Sequence, residues 1–146
     1  MMKTKTATND FLSALLFVSE NAQHKSISDF TLQFQKYVEG FIDGFIKFLQ
    51  SKSFDMERLN DLERSFGGNI YFSLSGHGCG FFDEYGDKEK TLGKELQALI
   101  EEYSGNKYRF EELQYNIRIL RGGKISLAVR IQKKDFKDFF ERYFKV

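Results

Sequence analysis

The residues able to do chemistry in this sequence are concentrated in one short stretch, Gly76-His77-Gly78-Cys79-Gly80-Phe81-Phe82-Asp83. His77 would titrate near neutral pH, and Cys79 beside it would be a nucleophile as a thiolate. Asp83 and Glu84 could orient the imidazole or ligate a cation. Three glycines at alternate positions admit positive φ and close backbone approach, and the amides between them could form an anion-binding nest. The spacing argues against each chemistry in turn. His-x-Cys followed by two carboxylates matches no hydrolase signature, and the second histidine, His24, lies far away in a helical region. A phosphate-binding loop would end in Gly-Lys-Ser/Thr. The same residues suit a tight strand-to-strand turn in which glycine is sterically required, His77 caps the turn and Asp83 accepts hydrogen bonds from its amides. A turn that touches a partner is the third reading. No catalytic residue, metal or cofactor is expected.

The elements that would position this stretch follow from periodicity. Residues from Asn9, as cap, to about Ala22 read as a first helix. Ser28 is placed to cap a second, running to about Ser51. In it Phe30, Phe34, Tyr37, Phe41, Phe45 and Phe48 fall on one helical face, a stripe read as core in preference to a partner groove. Asp55 is expected to cap a third helix to about Ser65, ended by Gly67-Gly68. Ile70, Phe72 and Leu74 alternate with polar neighbours and predict a strand, resumed at Phe81-Phe82. A helix is expected from about Asp87 to Tyr103.

Leu113, Tyr115, Ile117 and Ile119, then Ile125, Leu127, Val129 and Ile131, predict a hairpin. Opposed residues must share a face, so paired positions sum to an even number. A three-residue loop Arg121-Gly122-Gly123 therefore pairs Ile119 with Ile125 and Ile117 with Leu127, with Gly123 left-handed. Lys107 to Phe110 could add a further strand. Phe136, Phe139, Phe140, Tyr143 and Phe144 predict a closing amphipathic helix. The fold class is α+β. N-terminal helices (9–66) precede a strand–turn–strand–helix unit (69–104), then a hairpin and C-terminal helix (107–146). All lie in one domain, 1–146, with a mainly antiparallel sheet of about four strands.

Composition bounds the function. At 146 residues, 41% hydrophobic and 29% charged, the chain is too short for separate cofactor and substrate lobes, too apolar for disorder and too charged for a membrane-embedded protein. Cys79 is the only cysteine, which excludes an intrachain disulfide and a Cys-rich zinc site and fits a reducing compartment. Lys3, Lys5 and the apolar run 11–18 have some signal-peptide character. Asp10 at the start of the run and Glu20 at the only nearby cleavage-like site argue for a helix instead. No membrane association is expected.

Charge is segregated: residues 1–66 carry 8 basic and 9 acidic groups, residues 67–106 carry 3 and 7, and residues 107–146 carry 11 and 5. Arg118 and Arg130 would lie on the polar face of the hairpin, with Arg121 and Lys124 at its tip, as a contact for nucleic acid or an acidic protein. Asp83, Glu84, Asp87 and Glu89 form the opposing acidic cluster, which would mimic DNA to a nuclease.

The stretch Asn69 to Leu99 resembles small proteins encoded by phages and prophages, in which a strand is followed by Gly-His-Gly-x-Gly-Phe-Trp-Asp and then a helix. Gly76, His77, Gly78, Gly80, Phe81 and Asp83 match, Phe82 stands in place of Trp, and Leu74 and Ser75 replace the usual Arg and Asn. The resemblance implies a mobile-element origin and no known enzymatic activity. The function expected is a non-enzymatic accessory protein in the cytoplasm of a bacterial host cell. It would bind a host protein such as a defence nuclease, in the manner of an anti-CRISPR. Nucleic-acid binding through the 113–132 hairpin, and a small enzyme centred on His77, Cys79 and Asp83, are the alternatives. Homodimerisation is left open.

Overall fold

The computed structural model describes residues 3–76, 78–84, 91–127 and 136–146. Helix α1 spans Thr4–Val18, starting five residues before Asn9 and ending before a separate 3₁₀ turn at Glu20–Ala22, and buries Ala7, Phe11, Leu12, Leu15 and Leu16. Helix α2 spans Leu32–Ser51 and is capped by Thr31, whose hydroxyl accepts from the Phe34 amide at 3.2 Å. Ser28 instead sits in a preceding 3₁₀ turn, Ile27–Asp29, closed by Asp29 on the Ser26 amide at 2.9 Å. The aromatic stripe is core: Phe34, Phe41 and Phe45 are fully buried, while Tyr37 and Phe48 pack at its margin. Asp55 does cap the next segment, accepting from Glu57 at 3.2 Å, but the segment is a 3₁₀ helix that stops at Asp61.

The expected strand at residues 70–74 is a helix, α3, Phe66–Ser73. Its polar positions misled the period because residues 66–71 are all buried, and a helix covered on every side shows no amphipathic repeat. Gly67 and Gly68, expected to end a helix, open this one, with the Ser65 hydroxyl accepting from the Gly68 amide at 3.1 Å. Gly67 is where α3 meets α1. A Cβ there would overlap the Ala7 carbonyl oxygen and lie 2.9 Å from the Phe11 amide nitrogen.

Helix α4 spans Leu92–Ser104 and ends at Gly105 with φ +70. A short α5, Leu113–Asn116, replaces the first half of the expected hairpin strand. Strands β1 (Ile117–Ile119) and β2 (Ile125–Leu127) then pair antiparallel, Ile117 with Leu127 and Ile119 with Ile125. Gly123 is left-handed at φ +86, so the parity argument for register holds. Helix α6, Phe136–Phe144, closes the chain as expected.

The four-stranded sheet is corrected to two strands among the described residues. Residues 70–75 went to α3 and its C-terminal turn, 81–82 to a 3₁₀ turn, Phe81–Asp83, and 107–110 to hydrogen-bonded turns. The hairpin is held to the helices by an isolated bridge between Phe30 and Ile125 and by the Thr31 amide on the Ile125 carbonyl at 2.9 Å. Phe110 joins the layers, with its ring 5.1 Å from Phe11, 5.2 Å from Phe41 and 5.6 Å from Phe144.

Arg109 ties two helix ends together. Its guanidinium donates to the Ser104 carbonyl at the end of α4, to the Ser104 hydroxyl at 2.7 Å, and to the carbonyls of Tyr143 (3.1 Å) and Lys145 (3.0 Å). A cation belongs at both places, since the terminal carbonyls of a helix carry partial negative charge. Replacing Arg109 by Leu keeps the apolar stem and strands these acceptors. The expected cost is about 2–3 kcal/mol, read as a lower urea midpoint, and an unchanged midpoint would contradict the clamp.

Candidate functional site

The described residues of the glycine-punctuated stretch, Gly76 and 78–83, run from the end of α3 into the 3₁₀ turn Phe81–Asp83, with Gly80 folded back on Ser73. Gly76 and Gly78 lie at φ +77 and +73, and Cys79 itself at +63, a conformation costly for a residue with a Cβ. The loop is closed by Asp83, whose Oδ2 accepts from the Cys79 amide at 2.7 Å. This is the turn-amide bond expected for Asp83, although the turn joins a helix to a 3₁₀ segment and no strands. Gly80 lies against the backbone of α3, where a Cβ would come within 2.6 Å of Ser73 Cα. The Ser73 hydroxyl accepts from the Phe81 amide at 2.9 Å. Phe81 is fully buried with its ring 5.9 Å from Phe66, while Phe82 next to it is 65% exposed.

Glu84 corrects one reading. Expected among the surface acids, it is only 7% exposed. Its Oε2 accepts from the Glu63 amide at 2.9 Å. Its Oε1 accepts from the Arg64 amide at 3.0 Å and from Asn69 Nδ2 at 2.8 Å, with Arg64 Nε 3.6 Å away. Burial pushes this carboxyl up, but the Asn69 and backbone hydrogen bonds and the guanidinium outweigh it, so the group titrates below the usual glutamate range. Glu84 therefore fastens the loop to the 62–65 segment and α3, because a buried carboxylate persists only where donors converge on it.

The remaining candidates divide. His77, Asp87, Glu89 and Arg130 lie outside the described residues. Cys79 is exposed and lines a depression of about 310 Å³ with Asp10, Ser13, Arg64 and Asn69. Arg118 turns back on its own chain, donating to the carbonyls of Tyr115 and Ile117, each at 2.8 Å. Lys124 Nζ donates to the Ser28 carbonyl at 3.0 Å, and Arg121 is exposed. The hairpin's polar face is thus partly spent on internal bonds, and Ser126, opposite Arg118, is buried. Among the described residues no three His, Cys, Asp or Glu side chains converge to hold a metal ion, and no helix is long and apolar enough to cross a membrane.

Two open depressions share Gly76. One, about 480 Å³, is lined by Phe72, Phe82, Tyr108, Gln97, Glu101 and Lys107 together with the motif glycines and Asp83. The other, about 420 Å³, is lined by Ser75, Glu111, Glu112, Tyr115 and Asn116. Tyr108 and Tyr115 are 52% and 65% exposed. Sequence reasoning misses both tyrosines. The alternation puts Tyr115 on an inward strand face, and only the change from the period of α5 to that of β1 turns it outward. Comparison of the chain with protein-family models, curated proteins and solved structures found no match in any of the three.

Proposed function

We propose that this chain is a non-enzymatic accessory protein of phage or prophage origin that binds a protein of the bacterial host, in the host cytoplasm, as an anti-defence inhibitor of the anti-CRISPR kind. The observation that carries the reading is the exposure of Phe82 and Tyr108 in the lining of one depression beside the motif. Large exposed aromatics grouped at a concave surface are the usual mark of a protein interface, where such rings anchor binding. The polar groups of the motif support the reading from the other side. Asp83 is committed to the turn and Glu84 to the interior, so the motif builds the shape that presents Phe82. The nucleic-acid reading is less supported, because Arg118 and Lys124 hold carbonyls of this chain.

The test is capture from bacterial lysate with tagged wild-type, Phe82→Ala and Tyr108→Ala proteins, each checked by thermal melt. One host protein is expected to be enriched by the wild type and reduced about tenfold or more by Phe82→Ala, with Tm unchanged. No enrichment, or equal enrichment by both variants, would overturn the assignment.

A further inference from the structure

The geometry points to a partner that presents arginine or lysine side chains to the double depression around the motif. This rests on the interface reading above and specifies its chemistry. The walls are aromatic: Phe72 and Phe82 with Tyr108 on one side of Gly76, and Tyr115 on the other. Among the described residues, the charged groups lining the two depressions are four carboxylates, Asp83, Glu101, Glu111 and Glu112, and one ammonium, Lys107. None of Glu101, Glu111 and Glu112 is paired with a cation among the described residues. The lone ammonium already uses a wall as its seat, with Lys107 Nζ 5.1 Å from the centroid of the Tyr108 ring.

Aromatic rings and carboxylates lining the same depressions fit one class of side chain. A guanidinium can stack on an aromatic ring while its N–H groups pair with a carboxylate in the same depression. A phosphate backbone is repelled by the same four carboxylates, which separates this surface from the basic hairpin. The occupant that fits is therefore the basic face of a host protein, such as one that itself holds nucleic acid, and the carboxylates would take the places of phosphates there.

The probe is a fluorescein-labelled nona-arginine peptide, titrated by anisotropy at about 50 and about 200 mM NaCl. The test pair is Glu111→Gln with Glu112→Gln. The control pair, Glu20→Gln with Glu57→Gln, removes the same charge elsewhere on the surface. The test pair is expected to weaken binding about tenfold and Tyr108→Ala about fivefold, while the control pair changes it less than about twofold. Several results would overturn the inference. They are no binding at the lower salt, equal loss in test and control pairs, tighter binding of a labelled DNA duplex than of the peptide, or self-association that the test pair abolishes. The lysate capture repeated with the test pair separates the two readings. A host protein lost by Phe82→Ala but retained by the test pair overturns the charge assignment alone. Peptide binding that follows the expected pattern, with capture indifferent to Phe82→Ala, overturns the host-interface reading alone.

Discussion

Gly67→Ala is expected to lower stability by about 3 kcal/mol and Tm by roughly 10 °C. The added methyl has no space to enter. It would overlap the Ala7 carbonyl oxygen, lie 2.7 Å from that carbonyl carbon and 2.9 Å from the Phe11 amide nitrogen. All three atoms are backbone of α1, so relief requires moving a helix and not rotating a side chain. That movement would also drag Phe11, whose ring sits 5.4 Å from Tyr71 of α3 and 5.1 Å from Phe110. Gly40 supplies the contrast. It lies in α2, is exposed, and a methyl added to its Cα would meet nothing within 4 Å. Gly40→Ala should therefore raise stability by about 0.5–1 kcal/mol through helix propensity and a less flexible unfolded chain. Parallel thermal and urea unfolding of the two variants decides the matter. A neutral Gly67→Ala would mean that α1 and α3 do not cross at this point.

Glu84→Gln is expected to cost about 3 kcal/mol near neutral pH. The change is almost isosteric, so the loss comes from polarity. Three N–H donors, from Glu63, Arg64 and Asn69, converge on the carboxylate at 2.8–3.0 Å. A glutamine must turn its own NH₂ toward one of them and leaves the Arg64 guanidinium without a counter-charge. The pH dependence gives a second reading of the same group. Its native titration lies below its unfolded value, so the wild type has the full contribution above about pH 4.3 and loses it as pH falls through the lower native value. Glutamine does not titrate. The gap in Tm between wild type and Glu84→Gln should thus be widest near pH 7 and narrow toward pH 3. A gap that stays constant over that range would show that the carboxylate charge is not what holds the loop.

How much of this is legible in the sequence depends on where each residue's partners lie. The hairpin register follows from parity and Gly123, because both strands and the turn are adjacent in sequence. The stripe of α2 and the face of α6 are legible because each helix buries one side and leaves the other wet. Helix α3 is not, since burial all round erases the period that would mark it. Glu84 is misplaced by sequence alone because acidic residues default to the surface, and the donors that hold it come from residues 63, 64 and 69. The clamp formed by Arg109 is hidden for a similar reason. Its acceptors include carbonyls 34 and 36 residues away, and backbone carbonyls have no sequence signature. Of the site, the glycines and Asp83 read as a turn, while Tyr108 and Tyr115 come into view only with α5 and the preceding turns in place.

The contribution of α6 to the core sets an order on synthesis. Phe140 packs 5.3 Å from Phe34, and Phe144 lies 5.6 Å from Phe110 and 6.1 Å from Phe11, so rings translated late cover rings translated early. Until residues 139–144 leave the ribosome, the nascent chain carries an aromatic face with no lid of its own. Through that interval its protection must come from chaperones or from speed, and the core closes only once those residues have emerged.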